Sequence, residues 1–193
     1  RALGRRPASA RDPHAGAVWT TGTTSRFTSR DGVVTNSSTV CISLNGGSGH
    51  QVLDSELTNC AKEGYFLNGV SDARFAGNDI HHNNPVLAWD PGQEAGGGKV
   101  MASQRITFDR NTVRSNGGPG IWFDNGAADV VVTNNRVHDN LFEGIFFEIS
   151  SGATITGNAV WGNGFRDPAW GYGAGITISS SDRALVRDNT VAW

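Results

Sequence analysis

Two carboxylic acids 24 residues apart, Asp124 and Glu148, end the segments GIWFD and GIFFE, which read as copies of one another. Carboxyls brought close together repel, so one keeps its proton while the other stays ionised, and an acid then stands beside a base. The glycine-rich run EAGGGK adds Glu94 and Lys99 to this polar set. A lysine there suits removal of the proton α to a uronate carboxylate, with the two acids then holding Ca²⁺ through their hard oxygens. Planar side chains that suit stacking on sugar rings occur at Phe66, Trp122 and Phe146, and again, with Arg166, at Trp170 and Tyr172. Elsewhere His81 and His138 flank Arg114 in register and read as a solvated face. No third ligand has metal spacing to the His81-His82 pair, and no phosphate loop, nucleophile elbow or zinc signature occurs, so no metal ligand is assigned.

What positions these residues is a repeat. VLDSELTNCAKEGYFLNG from Val52, FDRNTVRSNGGPGIWFDNG from Phe108, VTNNRVHDNLFEGIFFEIS from Val132 and ITGNAVWGNG from Ile155 share one template. It has an anchoring amide or hydroxyl, an apolar residue at +2, a second polar residue at +5, Gly at +9, and apolar residues at +10 and +12. The anchors are Ser55, Asn78, Asn111, Asn135, Asn158 and Asn189, with spacings of 23, 33, 24, 23 and 31. A unit of 23 residues therefore carries insertions of 10 and 8. Within each unit β-branched and aromatic residues alternate with polar ones, which predicts short strands. A repeat of this length made of strands predicts a right-handed parallel β-helix, all-β, of about six or seven coils stacked at ~4.8 Å. The Asn anchors should form a structural ladder at a coil corner, in left-handed backbone geometry.

Strand alternation then points Phe66, Trp122, Phe146 and Thr177 outward in one wet column, beside a second column of Asn68, Asp124, Glu148 and Ser179. The first insertion is expected to leave the third coil after its strand, and the second, around GFRDPAWGY, to enter the sixth before its strand. Both would wall a groove over the acids. Cys41 and Cys60 fall about four residues apart in register, which at ~3.3 Å per residue predicts free thiols.

Composition supports this reading and excludes others. With 26 Gly, one Met and 18% charged residues in 193, the chain is poor in helix formers. A net charge of -2 and no basic stripe exclude nucleic acid as a partner, and no apolar run is long enough for a membrane span. Residues 1–20 read as a linker or N-terminal cap and 21–193 as the β-helix, a monomer. The start lacks Met and the end falls inside a coil, so the segment reads as part of a longer protein with further coils or a cap to follow.

From Val52 to Trp193 the chain resembles the pectate-lyase-like group of right-handed parallel β-helix proteins, carried by NTVRSNGGPGIWFDN, NRVHDNLFEGIFFEIS and NAVWGNG. EAGGGK with GIWFD and GIFFEIS is similar to a bacterial subset of that group. The resemblance implies a secreted or cell-envelope protein acting on a polysaccharide in a groove over coils 3–6, as glycoside hydrolase or polysaccharide lyase, without an assured cofactor. The polygalacturonase motifs are absent, and so is a clear pectate-lyase signature, so neither mechanism transfers residue by residue. The competing reading is a non-catalytic glycan-binding or surface scaffold.

Overall fold

The computed structural model of the protein describes residues 12–165 and 173–192. Three short strands make each coil. The first coil contains β1 (Gly16–Thr20), β2 (Thr28–Arg30) and β3 (Val33–Thr35), and the second β4 (Val40–Asn45), β5 (Gln51–Leu53) and β6 (Glu56–Thr58). Next come β7 (Glu63–Asn68), β8 (Arg74–Ala76) and β9 (Asp79–His81), a four-residue helix α1 (Pro91–Glu94), then β10 (Gly96–Met101), β11 (Thr107–Asp109) and β12 (Thr112–Arg114). The rest are β13 (Ile121–Asp124), β14 (Ala128–Thr133), β15 (Arg136–His138), β16 (Ile145–Glu148), β17 (Ser151–Thr156), β18 (Ala159–Trp161), β19 (Ile176–Ser179), β20 (Asp182–Arg187) and β21 (Thr190–Ala192). Every third strand pairs in parallel, which gives three seven-stranded sheets: sheet 1 from β1 to β19, sheet 2 from β2 to β20 and sheet 3 from β3 to β21. Within the segment expected to be a linker or N-terminal cap, β1 already pairs with β4.

The core is a stack of the predicted inward positions. Phe75 lies on Phe108 with ring centroids 5.0 Å apart, and Phe108 meets Phe123 edge-on at 5.7 Å. Asn78, Asn111, Asn135 and Asn158 form the expected ladder, each amide donating to the next Asn carbonyl oxygen at 2.9–3.0 Å and to a backbone carbonyl. Asn83, Asn116, Asn140 and Asn163 form a second ladder at the other polar template position. The left-handed backbone does not fall on the anchor. It falls one residue earlier, at Asp54, Arg110, Asn134 and Asp188 with φ of 46–57°. The anchor itself stays in register to donate its own backbone N–H up the ladder.

The second ladder explains the template glycine. A Cβ on Gly120 or Gly144 would stand 2.9 or 2.8 Å from the Asn140 or Asn163 amide nitrogen, so the two positions touch across adjacent coils. In the first such contact the residues are Cys41, opposite Gly64, and Cys60, which donates its N–H to Asn83 at the foot of the ladder. They form a disulfide with Cα atoms 5.6 Å apart, not the free thiols expected from contour length. Counting residues along one coil ignores that the chain turns a corner, which brings the side chain of one coil against the next.

Candidate functional site

The outer face of sheet 1 carries one continuous column. Register pairs Ser43 with Phe66, Phe66 with Lys99, Lys99 with Trp122, Trp122 with Phe146 and Phe146 with Thr177. Lys99 is therefore a rung of β10 and not part of a loop. The first insertion precedes this strand, carrying α1, whereas the sequence pattern placed it after. Gly96, Gly97 and Gly98 lack the alternating side chains that mark the other copies, so β10 is invisible to periodicity. Gly98 is required there: a Cβ would lie 2.6 Å from the Tyr65 ring, which extends from the coil below. The second insertion likewise lies between β18 and β19, so both depart from the corner between sheets 3 and 1.

Lys99 organises the centre of the column. Its Nζ forms an ion pair with Asp124 Oδ2 at 2.7 Å, donates to the Gln93 carbonyl at 2.8 Å, and lies 3.7 Å from the Trp122 ring centroid. Asp124 also accepts from the backbone N–H of Asn125 at 2.6 Å. Trp122 stacks on Phe146 with centroids 5.5 Å apart, and its indole N–H donates to Glu148 Oε1 at 3.0 Å. Asp124 and Glu148 extend from neighbouring paired strands on the same face. Burial raises the Glu148 pKa, and the Asp124 charge adds to the rise. One carboxyl is thus held beside a fixed cation while the other is biased towards its protonated form.

The column expected to be wet is covered. Phe66, Lys99, Trp122, Asp124 and Phe146 are each no more than 5% exposed. Over Phe66 the cover is the imidazole of His14, stacked at 4.1 Å, and over Lys99 it includes the backbone of α1. Trp122 has Lys99 and Phe146 against its ring. Arg166, Trp170 and Tyr172 lie outside the described residues. Glu94, at the end of α1, meets Lys62 and His14 and not Asp124, and hydrogen bonding from His14, with Lys62 assisting, lowers its pKa to about 2.

Sequence reasoning missed a second set of acids at the strand entries of this face. Glu63 is fully buried, with both carboxylate oxygens lacking a hydrogen bond, and the Lys62 Nζ is 3.6 Å away, beyond hydrogen-bond length. Burial raises its pKa to about 8 against the opposing pull of Lys62. Glu143, three rungs further along at the corresponding strand entry, is 1% exposed, and burial raises its pKa as well. The Glu-Gly pair that opens both KEGYF and FEGIF was the available signal. Among the described residues no cluster of three or more His, Cys, Asp or Glu has metal-binding geometry.

No curated protein matches the chain. The family described as right handed beta helix region matches residues 16–191, nearly the whole solenoid, and with its three parallel sheets the chain belongs to that right-handed β-helix family.

Proposed function

We propose that this protein is a carbohydrate-active enzyme that hydrolyses a polysaccharide along the outer face of sheet 1, with Glu148 as general acid and Asp124 as its ionised partner. The observation that carries this reading is the unequal environment of two neighbouring carboxyls: Lys99 beside Asp124, burial and like charge at Glu148. That inequality divides acid from base. A lyase reading with Lys99 as base has less support. A base must have its nitrogen free to reach the substrate proton, and the Lys99 Nζ is already engaged by Asp124, the Gln93 carbonyl and the Trp122 ring. Its ammonium also stands where a calcium ion would neutralise Asp124. Secretion to the cell envelope or beyond belongs to the same proposal, and a disulfide in the second and third coils is what an oxidising compartment permits.

The test is a polysaccharide panel read for new reducing ends and for unsaturated products. Glu148→Gln and Asp124→Asn should each lower turnover by about 10²–10⁴-fold while glycan binding persists, because these groups act on the transition state more than on bound sugar. Activity should fall as pH rises through the elevated Glu148 pKa. Retention of turnover in both variants would refute the assignment. One observation favours a non-catalytic glycan-binding scaffold: Lys99 and Asp124 already satisfy each other, as a structural ion pair does. That reading expects binding without turnover on every substrate.

A further inference from the structure

At the N-terminal end of the column, the ring lying on Phe66 comes from the chain's own first described residues. His14 is stacked on Phe66 with centroids 4.1 Å apart and 20° between the planes, and its Nε2 donates to Glu94 Oε2 at 2.6 Å. Lys62, 1% exposed, donates to the same carboxylate and to the Pro13 carbonyl at 3.3 Å, and its Nζ is 5.3 Å from the Trp89 ring centroid. A flat ring on an aromatic platform, held at its edge by a carboxylate and an ammonium, is the arrangement that receives a sugar. We propose that Phe66, Glu94 and Lys62 form a sugar subsite in which His14 stands in for the ring, and that a neutral glycan displaces it. This rests on the reading of the sheet 1 face as a glycan groove.

Two further observations shape the proposal. The occupying segment is lightly held. Asp12 and Pro13 are exposed, and among the described residues the further hydrogen bond from the segment to the solenoid is that of Thr39 to the Ala15 carbonyl. Sugar hydroxyls can replace each of those hydrogen bonds, so exchange costs little net bonding. Charge selects the ligand. Among the described residues the face and its strand entries carry two amines, Lys62 and Lys99. Those two amines already pair with Glu94 and Asp124, so a uronate chain would bring carboxylates to a face with no unpaired cation among these groups.

The full chain should be titrated with cellohexaose and mannohexaose as neutral probes and hexagalacturonate as the acidic one, following the ring protons of His14 by NMR. The Phe66 ring current marks the stacked state, and the His14→Ala spectrum assigns the signals. A neutral hexamer should move them to the position of a solvent-exposed histidine, and hexagalacturonate should not. His14→Ala should tighten neutral hexamer binding by about 3- to 10-fold, because a competing occupant is gone. Phe66→Ala should weaken it more than about 10-fold. The proposal is overturned if no neutral hexamer binds, if saturating hexamer leaves the His14 signals in place, or if His14→Ala fails to tighten binding at an unchanged urea midpoint. Displacement of His14 with unimpaired turnover in Glu148→Gln would sink the catalytic assignment alone. Loss of turnover in that variant with His14 undisturbed would sink this inference alone.

Discussion

On sheet 3 the outward column Thr58, His81, Arg114, His138 and Trp161 climbs one rung per coil, as Phe66, Lys99, Trp122 and Phe146 do on sheet 1. Both columns contain aromatic rings, cations and nearby carboxylates, and both contain stacked rings: His138 on Trp161 at 4.2 Å and Trp122 on Phe146 at 5.5 Å. Their surroundings differ. Arg114, His138 and Trp161 are partly exposed, and their partners, such as Asp79 and Asp139, open to solvent. Lys99, Trp122, Asp124 and Phe146 are buried. Stacking at ~4.8 Å brings functional groups together on any face of a solenoid, and only exclusion of water gives them strong mutual fields. The N-terminal segment and the α1 insertion supply that exclusion on sheet 1, whereas the sheet 3 rungs Arg114, His138 and Trp161 stay partly open.

The largest consequence concerns Lys99. Lys99→Met leaves Asp124 as a buried carboxylate without its cation and should cost about 3–5 kcal/mol, read from urea midpoints. Adding Asp124→Asn should recover most of the loss, since the uncompensated charge is then removed. Additive costs in the double variant would mean that the two side chains do not share one energetic unit, and the contrast between the faces would weaken.

The buried acid at a strand entry of the same face should write itself into the pH dependence. The folded-state pKa of Glu63 is about 8 against an ordinary 4.5, so between these values the folded state binds the extra proton. Its contribution to stability is complete below pH 4.5 and is lost as pH rises through 8. Glu63→Gln should remove that loss, leaving the variant roughly 2–4 kcal/mol less sensitive to a change from pH 5 to 8. A residual slope of the same sign should remain, because Glu143 and Glu148 are raised too. At the acid end Glu94 works oppositely, its contribution present above pH 4.5 and fading as pH falls through about 2. Identical slopes for wild type and Glu63→Gln would place Glu63 in contact with water.

Periodicity made the strands, the Asn ladder and the shared column of Asp124 and Glu148 legible, because each follows from a residue type repeated at a fixed interval. Lys99 lost its place because three glycines stand where β10 should show alternation. Cover was illegible for another reason: His14 on Phe66 and Gln93 on Lys99 are single contacts between a repeat and something outside it. Cys41 and Cys60 sat at template positions already marked, Gly and the second polar residue, yet their contact lies across coils, a direction that no count along the chain measures.

The ladder separates inward from outward at neighbouring residues. Asn135 is 1% exposed, donates to Asn158 and the Phe108 carbonyl, and accepts from Asn111. Asn135→Ala should cost about 1–3 kcal/mol, since the buried partners lose their bonds. Asn134 is exposed, with φ of 57° and a 3.4 Å contact to Asp109. Asn134→Ala should cost less, mainly the strain of alanine in left-handed geometry. Equal midpoints would shift the ladder by a residue.

The smallest expected effect is on sheet 3, and the comparison depends on its being small. Arg114 makes a two-pronged contact with Asp79, Nε to Oδ1 at 3.1 Å and Nη2 to Oδ2 at 2.8 Å, better geometry than many surface pairs achieve. Its side chain is 30% exposed and that of Asp79 40%, so water and salt screen the charges. Arg114→Ala should therefore cost no more than about 1 kcal/mol, and raising salt towards molar concentration should shrink the difference further. Alanine removes the alkyl stem as well as the charge, so Arg114→Met, which keeps much of the stem, should cost less than Arg114→Ala. A loss as large as that of Lys99→Met, unchanged by salt, would show that an open rung can bind charges as tightly as a covered one. The insertions would then no longer explain why the chemistry gathers on sheet 1.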